Sequence, residues 1–517
     1  MKRKKIIKRS IIGVLLLLLT ILILRFFLAE NSINKLYGPY PDIAELTEFN
    51  VSNPQAVKPN VIIIFVDDLG YADLSCYGSN AIQTPNIDSI AAQGVKFTNY
   101  YSAASVCAPS RAGLLTGRYP FRTGIIGNPY PANEETGKKI ARKVGGALIG
   151  LGSFDIKEKY VAEGLNKKEI TIAEVLKSVG YRTGMIGKWH LGDFSSNEEF
   201  NPINHGFDFY FGVPHSNDLL PCPLYRNTKK IKESMEGEAL QSQFSSMYSE
   251  EAIRFIEEAD NAPFFLYLAE TFPHQPLYAS GKFKGKSAGG IYGDVVEELD
   301  YNVGRILESL KKKGLDKNTL VIFTSDNGPW YEGDTGGHKG RKGESFNGGY
   351  KVPFIARYPG VIPKRQVNHA VIQSLDLFPT ILNLAGVELP EDRTIDGIDI
   401  MENLSCESFE TKHDAIYFYH YAELQGVLSG GYKYLESIDR YVWPLPLHRA
   451  SILKIFKAES HLGKIYPLLY NTNIDPNEAY NLMETNPVIA QNLSDKLEKW
   501  KEKALKNPRG FNIFNED

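Results

Sequence analysis

The chain has few cysteines for its length: four in 517 residues, at positions 76, 107, 222 and 406. Four cysteines cannot form the dense disulfide framework of a small secreted domain, and no pair has the C-x-x-C spacing of a zinc ribbon. The chain also has no excess of basic charge, since 58 Lys and Arg residues face 61 Asp and Glu residues. We therefore expect no nucleic-acid partner.

Glycine and proline are present at ordinary levels, with 45 and 28 residues, which excludes a collagen-like or low-complexity chain. The hydrophobic fraction of 43% and the charged fraction of 23% exclude wholesale disorder. At roughly 100–200 residues per domain, the length allows two to four domains, or one large α/β unit with an appendage.

One long hydrophobic run lies near the N-terminus. Six Lys or Arg residues fall within residues 1–10, and residues 11–29 carry a single charge, at Arg25. As a helix this run would be about 28 Å long, close to the roughly 30 Å hydrocarbon core of a bilayer. Because the cations precede it, the pattern predicts a membrane anchor with the body exocytoplasmic, on the periplasmic or extracellular side. A cleaved signal sequence, followed by secretion, is the alternative.

Three continuous apolar runs predict strands that are buried on both faces of a parallel sheet. These runs are residues 61–66, 264–268 and 320–323, and helical patterns at 171–180 and 292–313 separate them. Strands that alternate with helices predict an open α/β sheet with helices on both faces.

The sequence changes character after about residue 400, where short aromatic-rich runs predict a smaller α+β subdomain with an antiparallel sheet. The predicted strands cover residues 415–420, 431–435 and 467–470, and a final helix is predicted over 487–505. We divide the chain into a basic tip with a membrane anchor or signal sequence (1–29), a tether (30–58), a large α/β domain (59–400) and a C-terminal antiparallel-sheet subdomain (401–517).

Two acidic pairs follow predicted strands. Asp67 and Asp68 come directly after one apolar run, and Asp326 and Asn327 come shortly after another. Ligand sites of open α/β sheets lie beyond the carboxyl ends of their strands. Carboxylate and amide oxygens suit Ca²⁺ or Mg²⁺, and a divalent cation removes the repulsion between crowded acids. The two pairs together predict a hard-cation site, whereas either pair alone could be an ordinary turn.

Cys107 is the third candidate feature. Pro109, Ser110 and Arg111 follow it, a pattern typical of a turn that opens a helix. A cysteine at a helix N-terminus beside a guanidinium would be electropositive and reactive. An inert core cysteine is the alternative. The residues by themselves predict no more than an activated side chain near a metal.

The segment from Cys107 to Gly117 (Cys-x-Pro-Ser-Arg-x-x-x-Leu-Thr-Gly) resembles the signature of the type I, formylglycine-dependent sulfatases. Other family elements follow in order: Asp67-Asp68, Gly187–Gly192, His274 within Pro273–Pro276, Asp326-Asn327-Gly328, and Lys342 within Gly340–Gly343. The resemblance covers about residues 58–400. The segment 212–218 is similar to the subgroup around arylsulfatase A and N-acetylgalactosamine-6-sulfatase. An alkaline-phosphatase-like α/β fold is implied, with a large mixed, mostly parallel sheet between helices.

The resemblance implies an enzyme that hydrolyses sulfate monoesters of a sulfated carbohydrate or an aryl sulfate. A maturation enzyme would convert Cys107 to formylglycine. One hydroxyl of the hydrated aldehyde would attack the sulfate sulfur, and the second would lose its proton and expel sulfate. The implied ligands of Ca²⁺, with Mg²⁺ as the alternative ion, are Asp67, Asp68, Asp326, Asn327 and residue 107 itself.

The resemblance also implies roles for five further side chains. Arg111 would stabilise the charged hydrate, while Lys188 and Lys342 would bind sulfate oxygens. His274 would protonate the leaving alcohol, and His190 would deprotonate the hydrate. His274 would also contact the substrate.

Two other functions remain alternatives. A phosphomonoester or phosphonate ester hydrolase of the same fold would bind a similar tetrahedral anion, but the sequence has no second acidic cluster for an additional ion. An unmodified Cys107 would leave a non-catalytic protein that binds sulfated glycans. The loops at 128–165, 215–245 and 330–340, with the aromatic region after 400, are expected to select the substrate. Ser216, in the second loop, matches a family position near the sulfate.

Overall fold

The computed structural model describes residues 13, 14, 16–20, 31, 32, 37–43, 45–132, 160, 161, 163–260, 262–438 and 467–512. The anchor predicted for residues 11–29 lies mostly outside these ranges, and so does most of the loop at 128–165. Among the described residues, no helix combines the length and the apolar character that crossing a membrane requires.

A mixed sheet, ten-stranded within the described residues, forms the centre of the protein. Its strands in chain order are β1 (Asn60–Val66), β2 (Val95–Tyr101), β3 (Arg182–Lys188), β4 (Phe209–Val213), β5 (Leu224–Arg226), β6 (Lys229–Lys232), β7 (Phe264–Ala269), β8 (Thr319–Ser325), β9 (Phe354–Arg357) and β10 (Gln366–Gln373). Their order across the sheet is β10-β2-β9-β8-β1-β7-β3-β4-β5-β6. The strands from β8 to β4 are all parallel, whereas β9 and β5 run antiparallel to their neighbours.

Helices cover both faces of this sheet. The described helices are α1 (Pro85–Ala92), α2 (Cys107–Thr116), α3 (Pro120–Thr123), α4 (Ile172–Ser178), α5 (Glu238–Gln241), α6 (Phe244–Glu257), α7 (Gly290–Lys312), α8 (Asn347–Tyr350), α9 (Leu377–Leu384), α10 (Met401–Leu404) and α11 (Pro487–Lys506). Side chains of β1 alternate between two cores: Val61, Ile63 and Phe65 pack with α2, α4 and α9, and the intervening residues pack with α1, α6 and α7. This alternation explains why the strand is apolar at every position.

Short 3₁₀ turns and one small strand pair complete the connections. The turns are Ser75–Tyr77, Glu198–Phe200, Pro202–His205, Asp316–Asn318 and Ser374–Asp376. Asn31–Ser32 pairs in parallel with Tyr160–Val161. The predicted start of α4 is confirmed, because Thr171 Oγ1 accepts from the Glu174 N–H and the Glu174 carboxylate accepts from the Thr171 N–H.

A separate antiparallel sheet lies near the C-terminus, as predicted. Its strands are β11 (Ile416–His420), β12 (Glu423–Ser429), β13 (Tyr432–Leu435) and β14 (Leu468–Asn471), paired in that order. The apolar face of α11 packs on this sheet through Leu493 and Leu497. The predicted fold class is therefore confirmed, and the domain boundaries, including residue 400, stay a prediction.

Candidate active site

Two strand tips bring four of the predicted residues together. Val66 lies opposite Ser325 in the parallel pair β1–β8, so Asp67-Asp68 and Asp326-Asn327 leave the sheet side by side. The backbone N–H of Asp68 donates to Asp326 Oδ1 at 3.2 Å. Asp68 has a φ of +67°, in the left-handed region that non-glycine residues adopt at a cost of roughly 1–3 kcal/mol. Such strain occurs most often at functional sites.

Cys107 lies directly beside these carboxylates. It is the first residue of α2 and is fully buried. Its Sγ is 3.2 Å from Asp67 Oδ1 and 4.0 Å from Asp68 Oδ1. One possible ligand atom from each of Cys107, Asp67, Asp68 and Asp326 lies within 4.8 Å of the others.

This donor set fits a hard divalent cation. The amide nitrogen of Asn327 donates to Asp68 Oδ1 at 2.7 Å. The amide oxygen of Asn327 is buried and has no hydrogen-bond partner among the described residues. Burial and the negative charge of Asp67 raise the pKa of Asp326 to about 7. A cation among these oxygens would offset the repulsion and give the amide oxygen a partner.

Two lysines balance the acids, the buried Lys188 and the partly buried Lys342. Lys188, the last residue of β3, places Nζ 2.5 Å from Asp67 Oδ2. Lys342 Nζ lies 2.8 Å from Asp68 Oδ2 and 3.3 Å from Cys107 Sγ. Burial lowers the pKa of each lysine, but the neighbouring carboxylates more than offset this and hold both above the ordinary value. The two ammonium groups therefore stay charged beside residue 107.

Arg111 contacts the carboxylates rather than the thiol. Its Nη2 lies 2.7 Å from Asp326 Oδ2 and 3.7 Å from Asp67 Oδ2, and Nη1 donates to the Lys188 carbonyl at 2.9 Å. Burial raises the pKa of Asp67, but the positive charges of Lys188, His274 and Arg111 bring it well below its usual range. Arg111 thus holds the acidic side chains in place.

His274 and Ser216 form the more open side of the site. Ser216 Oγ accepts from Lys188 Nζ at 3.2 Å and lies 3.5 Å from His274 Nδ1. His274 Nε2 is 3.8 Å from Asp68 Oδ2, and the His274 side chain is 13% exposed. The imidazole therefore lies between the buried charges and solvent.

His190 lies behind Lys188 and is almost completely buried. Its φ is +58°, and its backbone N–H donates to the Pro214 carbonyl at 3.0 Å. Neither ring nitrogen has a hydrogen-bond partner among the described residues, and no bond joins the ring to Cys107 there. Burial and the charges of Lys188 and Arg111 lower the pKa of His190 well below its ordinary value. The ring is therefore neutral, and its protonated form is disfavoured in this setting.

The setting of Cys107 differs from the electropositive one expected from the sequence. The cysteine does begin a helix, but burial and the negative charge of Asp67 raise the pKa of its thiol well above the ordinary value. The lowered thiol pKa that an electropositive setting would produce is therefore not found, because burial and the Asp67 carboxylate outweigh the charges of Lys188 and Lys342. Cys107 is a protonated thiol in this unmodified chain.

Two supports of the site were missed by the sequence analysis. Asn128 Oδ1 accepts from the Ala108 N–H at 3.0 Å and so caps the helix that carries Cys107. The Gly343 N–H, next to Lys342, donates to the Ser105 carbonyl at 2.8 Å. Both contacts join segments far apart in the chain, and no local pattern marks either of them.

The C-terminal sheet holds the loop that carries Lys342. Lys433 Nζ pairs with Glu478 Oε1 at 2.7 Å, and both side chains are fully buried. Glu478 Oε2 accepts from the Asn347 N–H at 2.7 Å, and Lys433 donates to Asn347 Oδ1 at 3.0 Å. This network, which the sequence analysis also missed, connects the small sheet to the active-site loop.

Fold and site together define a hydrolase of anionic esters. The sulfatase family model matches residues 59–387, and a model described as the C-terminal part of N-sulphoglucosamine sulphohydrolase matches residues 342–503. An N-acetylgalactosamine-6-sulfatase from Rattus norvegicus is 35% identical over 460 residues, covering 83% of this chain and 82% of that protein. The chain belongs to the sulfatase family and is a sulfuric ester hydrolase.

Solved structures agree with this assignment. One, connected with the metabolism of multiple glycosaminoglycans by Bacteroides thetaiotaomicron, has a TM-score of 0.72 at 27% identity and covers 86% of this chain and 100% of its own. The complex of Ps i-CgsB with k-i-k-neocarrahexaose has a TM-score of 0.68 at 27% identity, covering 89% and 96%. These similarities confirm the predicted alkaline-phosphatase-like fold.

Proposed function

We propose that this sulfatase removes sulfate from a sulfated carbohydrate, using formylglycine made from Cys107 and a bound Ca²⁺ ion. A relative named for N-acetylgalactosamine 6-sulfate and a structural neighbour complexed with a carrageenan-type oligosaccharide support a carbohydrate substrate. The observation that carries the proposal is the convergence of Cys107 with Asp67, Asp68 and Asp326 within 4.8 Å, beside Lys188 and Lys342.

The proposed ion site uses oxygen donors from Asp67, Asp68, Asp326 and Asn327, with the side chain at position 107 completing it. Hard oxygen ligands favour Ca²⁺ over soft metals, and Mg²⁺ is the alternative. When bound, the ion supplies positive charge that polarises a sulfate oxygen and lowers the pKa of a neighbouring hydroxyl.

Conversion of Cys107 requires a formylglycine-generating maturation enzyme as a partner. The hydrated aldehyde supplies one hydroxyl to attack sulfur and a second whose deprotonation expels sulfate. A protonated thiol in this position is a poor nucleophile. An adduct of the Cys107 sulfur with sulfate would also lack a second hydroxyl whose deprotonation could expel the sulfate. The raised pKa of Cys107 therefore supports a role that depends on modification.

The other side chains handle charge and protons. Lys342, between Asp68 and position 107, and Lys188, between Asp67 and Ser216, donate to sulfate oxygens. The partly exposed His274 protonates the leaving alcohol on the open side. The buried His190 is assigned as the base that takes the proton of the second hydroxyl. Arg111 positions the carboxylates.

The decisive test replaces the nucleophile. Cys107→Ala should abolish sulfate release from 4-nitrophenyl sulfate and N-acetylgalactosamine 6-sulfate while leaving the thermal midpoint nearly unchanged. Cys406→Ala, which alters a half-buried cysteine, is the matched control and should retain activity. Wild-type rates in Cys107→Ala would refute the mechanism. Mass spectrometry of the peptide 105–118 provides a second check: an unmodified thiol in every molecule from the native host would favour the non-catalytic glycan-binding alternative.

We also propose that the enzyme works outside the cytoplasm, either anchored by residues 11–29 or secreted after their removal. Six basic residues before an apolar run support this orientation. Protease protection of the catalytic body in cells whose cytoplasmic membrane is intact and whose outer envelope is permeabilised would contradict it, because only a cytoplasmic body is then shielded from added protease.

A further inference from the structure

The loop of residues 329–334 lies beside two residues of the candidate site. The Pro329 carbonyl accepts from the Lys342 N–H at 3.1 Å. The Glu332 carboxylate accepts from the side-chain amide of Gln275, the residue that follows His274. The loop therefore borders the side of the site from which, under the proposed function, the leaving alcohol departs.

Several contacts hold this loop in place. Asp73 Oδ1 accepts from the Asp334 N–H at 2.8 Å. Arg341 Nη1 donates to the carbonyls of Trp330 and Gly333 at 2.8 and 3.0 Å. A loop that is already ordered loses little entropy when a ligand binds to it.

The loop presents two aromatic side chains. The ring centroids of Trp330 and Tyr331 are 5.1 Å apart at 82°, and Tyr331 is 49% exposed. Within the described ranges, the Trp330 indole N–H and the Tyr331 hydroxyl have no hydrogen-bond partner. An exposed aromatic face bordered by free polar groups suits a sugar ring, whose C–H face packs on the aromatic ring while its hydroxyls form hydrogen bonds.

Charge around these aromatics indicates which part of a sulfated glycan fits. The guanidinium of Arg341 lies 5.5 Å from the Tyr331 ring, but the carboxylates of Glu332 and Asp334 are exposed on the same loop. One cation beside two acids offers little attraction to a second sulfate. The patch therefore suits an uncharged ring face rather than another anionic group.

We propose that Trp330 and Tyr331 form a subsite for the sugar ring that carries the scissile sulfate. This inference rests on the proposed function, because it places the sulfate near residue 107 and the leaving oxygen near His274. The loop that carries the aromatic pair contacts Lys342 and the residue next to His274, which supports a position for the ring on that loop. Tyr331 would determine affinity for the sugar and would leave the affinity for sulfate itself unaltered.

Binding measurements test this without turnover. In a full-length Cys107→Ala background, calorimetry would compare inorganic sulfate with N-acetylgalactosamine 6-sulfate, glucosamine 6-sulfate and galactose 4-sulfate. Tyr331→Ala should weaken binding of the preferred sugar sulfate by about 3- to 10-fold, since the lost contact is an aromatic stacking contact. Tyr331→Phe keeps the ring and should retain most of the affinity. Tyr480→Ala removes another solvent-exposed tyrosine, 75% exposed, from outside the loop and should change nothing.

Binding of inorganic sulfate distinguishes the loss of a sugar contact from a general distortion of the site. The affinity for inorganic sulfate should be the same in every variant as in the Cys107→Ala parent. Equal sugar affinity in the Cys107→Ala parent and the Tyr331→Ala variant would overturn the inference. A parallel loss of sulfate affinity would also overturn it, and so would a parent that binds all three sugars no better than sulfate. Failure of the proposed function is a different result, in which the wild-type chain releases no sulfate although Tyr331→Ala still weakens sugar binding.

Discussion

The buried ion pair between the C-terminal sheet and the Lys342 loop provides a quantitative prediction. In Glu478→Gln, Lys433 would remain fully buried with no carboxylate partner, although it would keep its 3.0 Å contact with Asn347. Removing one member of a buried pair typically costs about 3–5 kcal/mol, because the remaining charge is uncompensated. We therefore expect Glu478→Gln to lower the free energy of unfolding by about 3–5 kcal/mol at pH 7, as measured by urea unfolding.

A second substitution separates charge from packing. Lys433→Met removes the stranded ammonium and places an apolar side chain near the Phe418 ring, which now lies 4.1 Å from Lys433 Nζ. The double variant Glu478→Gln/Lys433→Met should be about 1–3 kcal/mol more stable than the sum of the two single losses predicts, which is the coupling expected of side chains in contact. A double variant whose loss equals the sum of the two single losses would refute the reasoning, since it would show that the charges are not coupled.

The same variants report on catalysis. Glu478 Oε2 anchors the backbone of Asn347, five residues after Lys342. If this anchor positions Lys342, Glu478→Gln should weaken inhibition by inorganic sulfate even where the protein is fully folded. Unchanged sulfate inhibition would mean that the network stabilises the fold alone.

Two further predictions concern pH and metal. Burial lowers the pKa of Lys351 to about 8, against an ordinary value of 10.5, although Glu478 opposes the shift. Below pH 8 Lys351 is protonated in the folded state, which bears the full cost of burying the charge. As pH rises from 8 to 10.5, the folded state loses the proton before the unfolded state does, and the stability of wild type increases. Lys351→Met should therefore be more stable than wild type at pH 7 and lose that advantage by pH 10. Melting curves at three pH values would show this, and a constant difference would contradict it. For metal, EGTA should lower the melting temperature and Ca²⁺ should restore it, because Ca²⁺ at a hundredfold excess over Kd adds about 3 kcal/mol to the free energy of unfolding. An EGTA effect that persists in Asp326→Asn would place the ion elsewhere.

The sequence allowed prediction of those parts of the fold that depend on local patterns. The apolar run of β1 was recognised because both faces of that strand are covered, and the capping box of α4 lies within four consecutive residues. The acidic pairs were placed together because parallel neighbouring strands end at one edge of the sheet. The sulfatase resemblance supplied the remaining site residues, whose spacing alone would not have identified them.

Contacts between distant segments were not predictable in this way. Asn128 caps the helix of Cys107 from a region without a pattern. Lys433 and Glu478 are separated by 45 positions and reach Asn347 from the region of the C-terminal sheet. The electrostatic environment of Cys107 was not predictable for the same reason. The charged groups nearest to its Sγ belong to Asp67 and Lys342, both remote in sequence, and the pKa of the thiol is raised because burial and Asp67 outweigh the lysines.

The site thus combines two kinds of support that have different consequences for specificity. Asp67, Asp326 and Lys188 project from ends of central strands, whose positions are set by two apolar cores. Lys342 and Tyr331 belong instead to one connection, between β8 and β9, which is held by side chains outside those cores. Changes in this connection can therefore alter sugar recognition while the carboxylates stay in place. Because Lys342 belongs to the same connection, changes that remove the contact between Glu478 and Asn347 should also weaken sulfate binding.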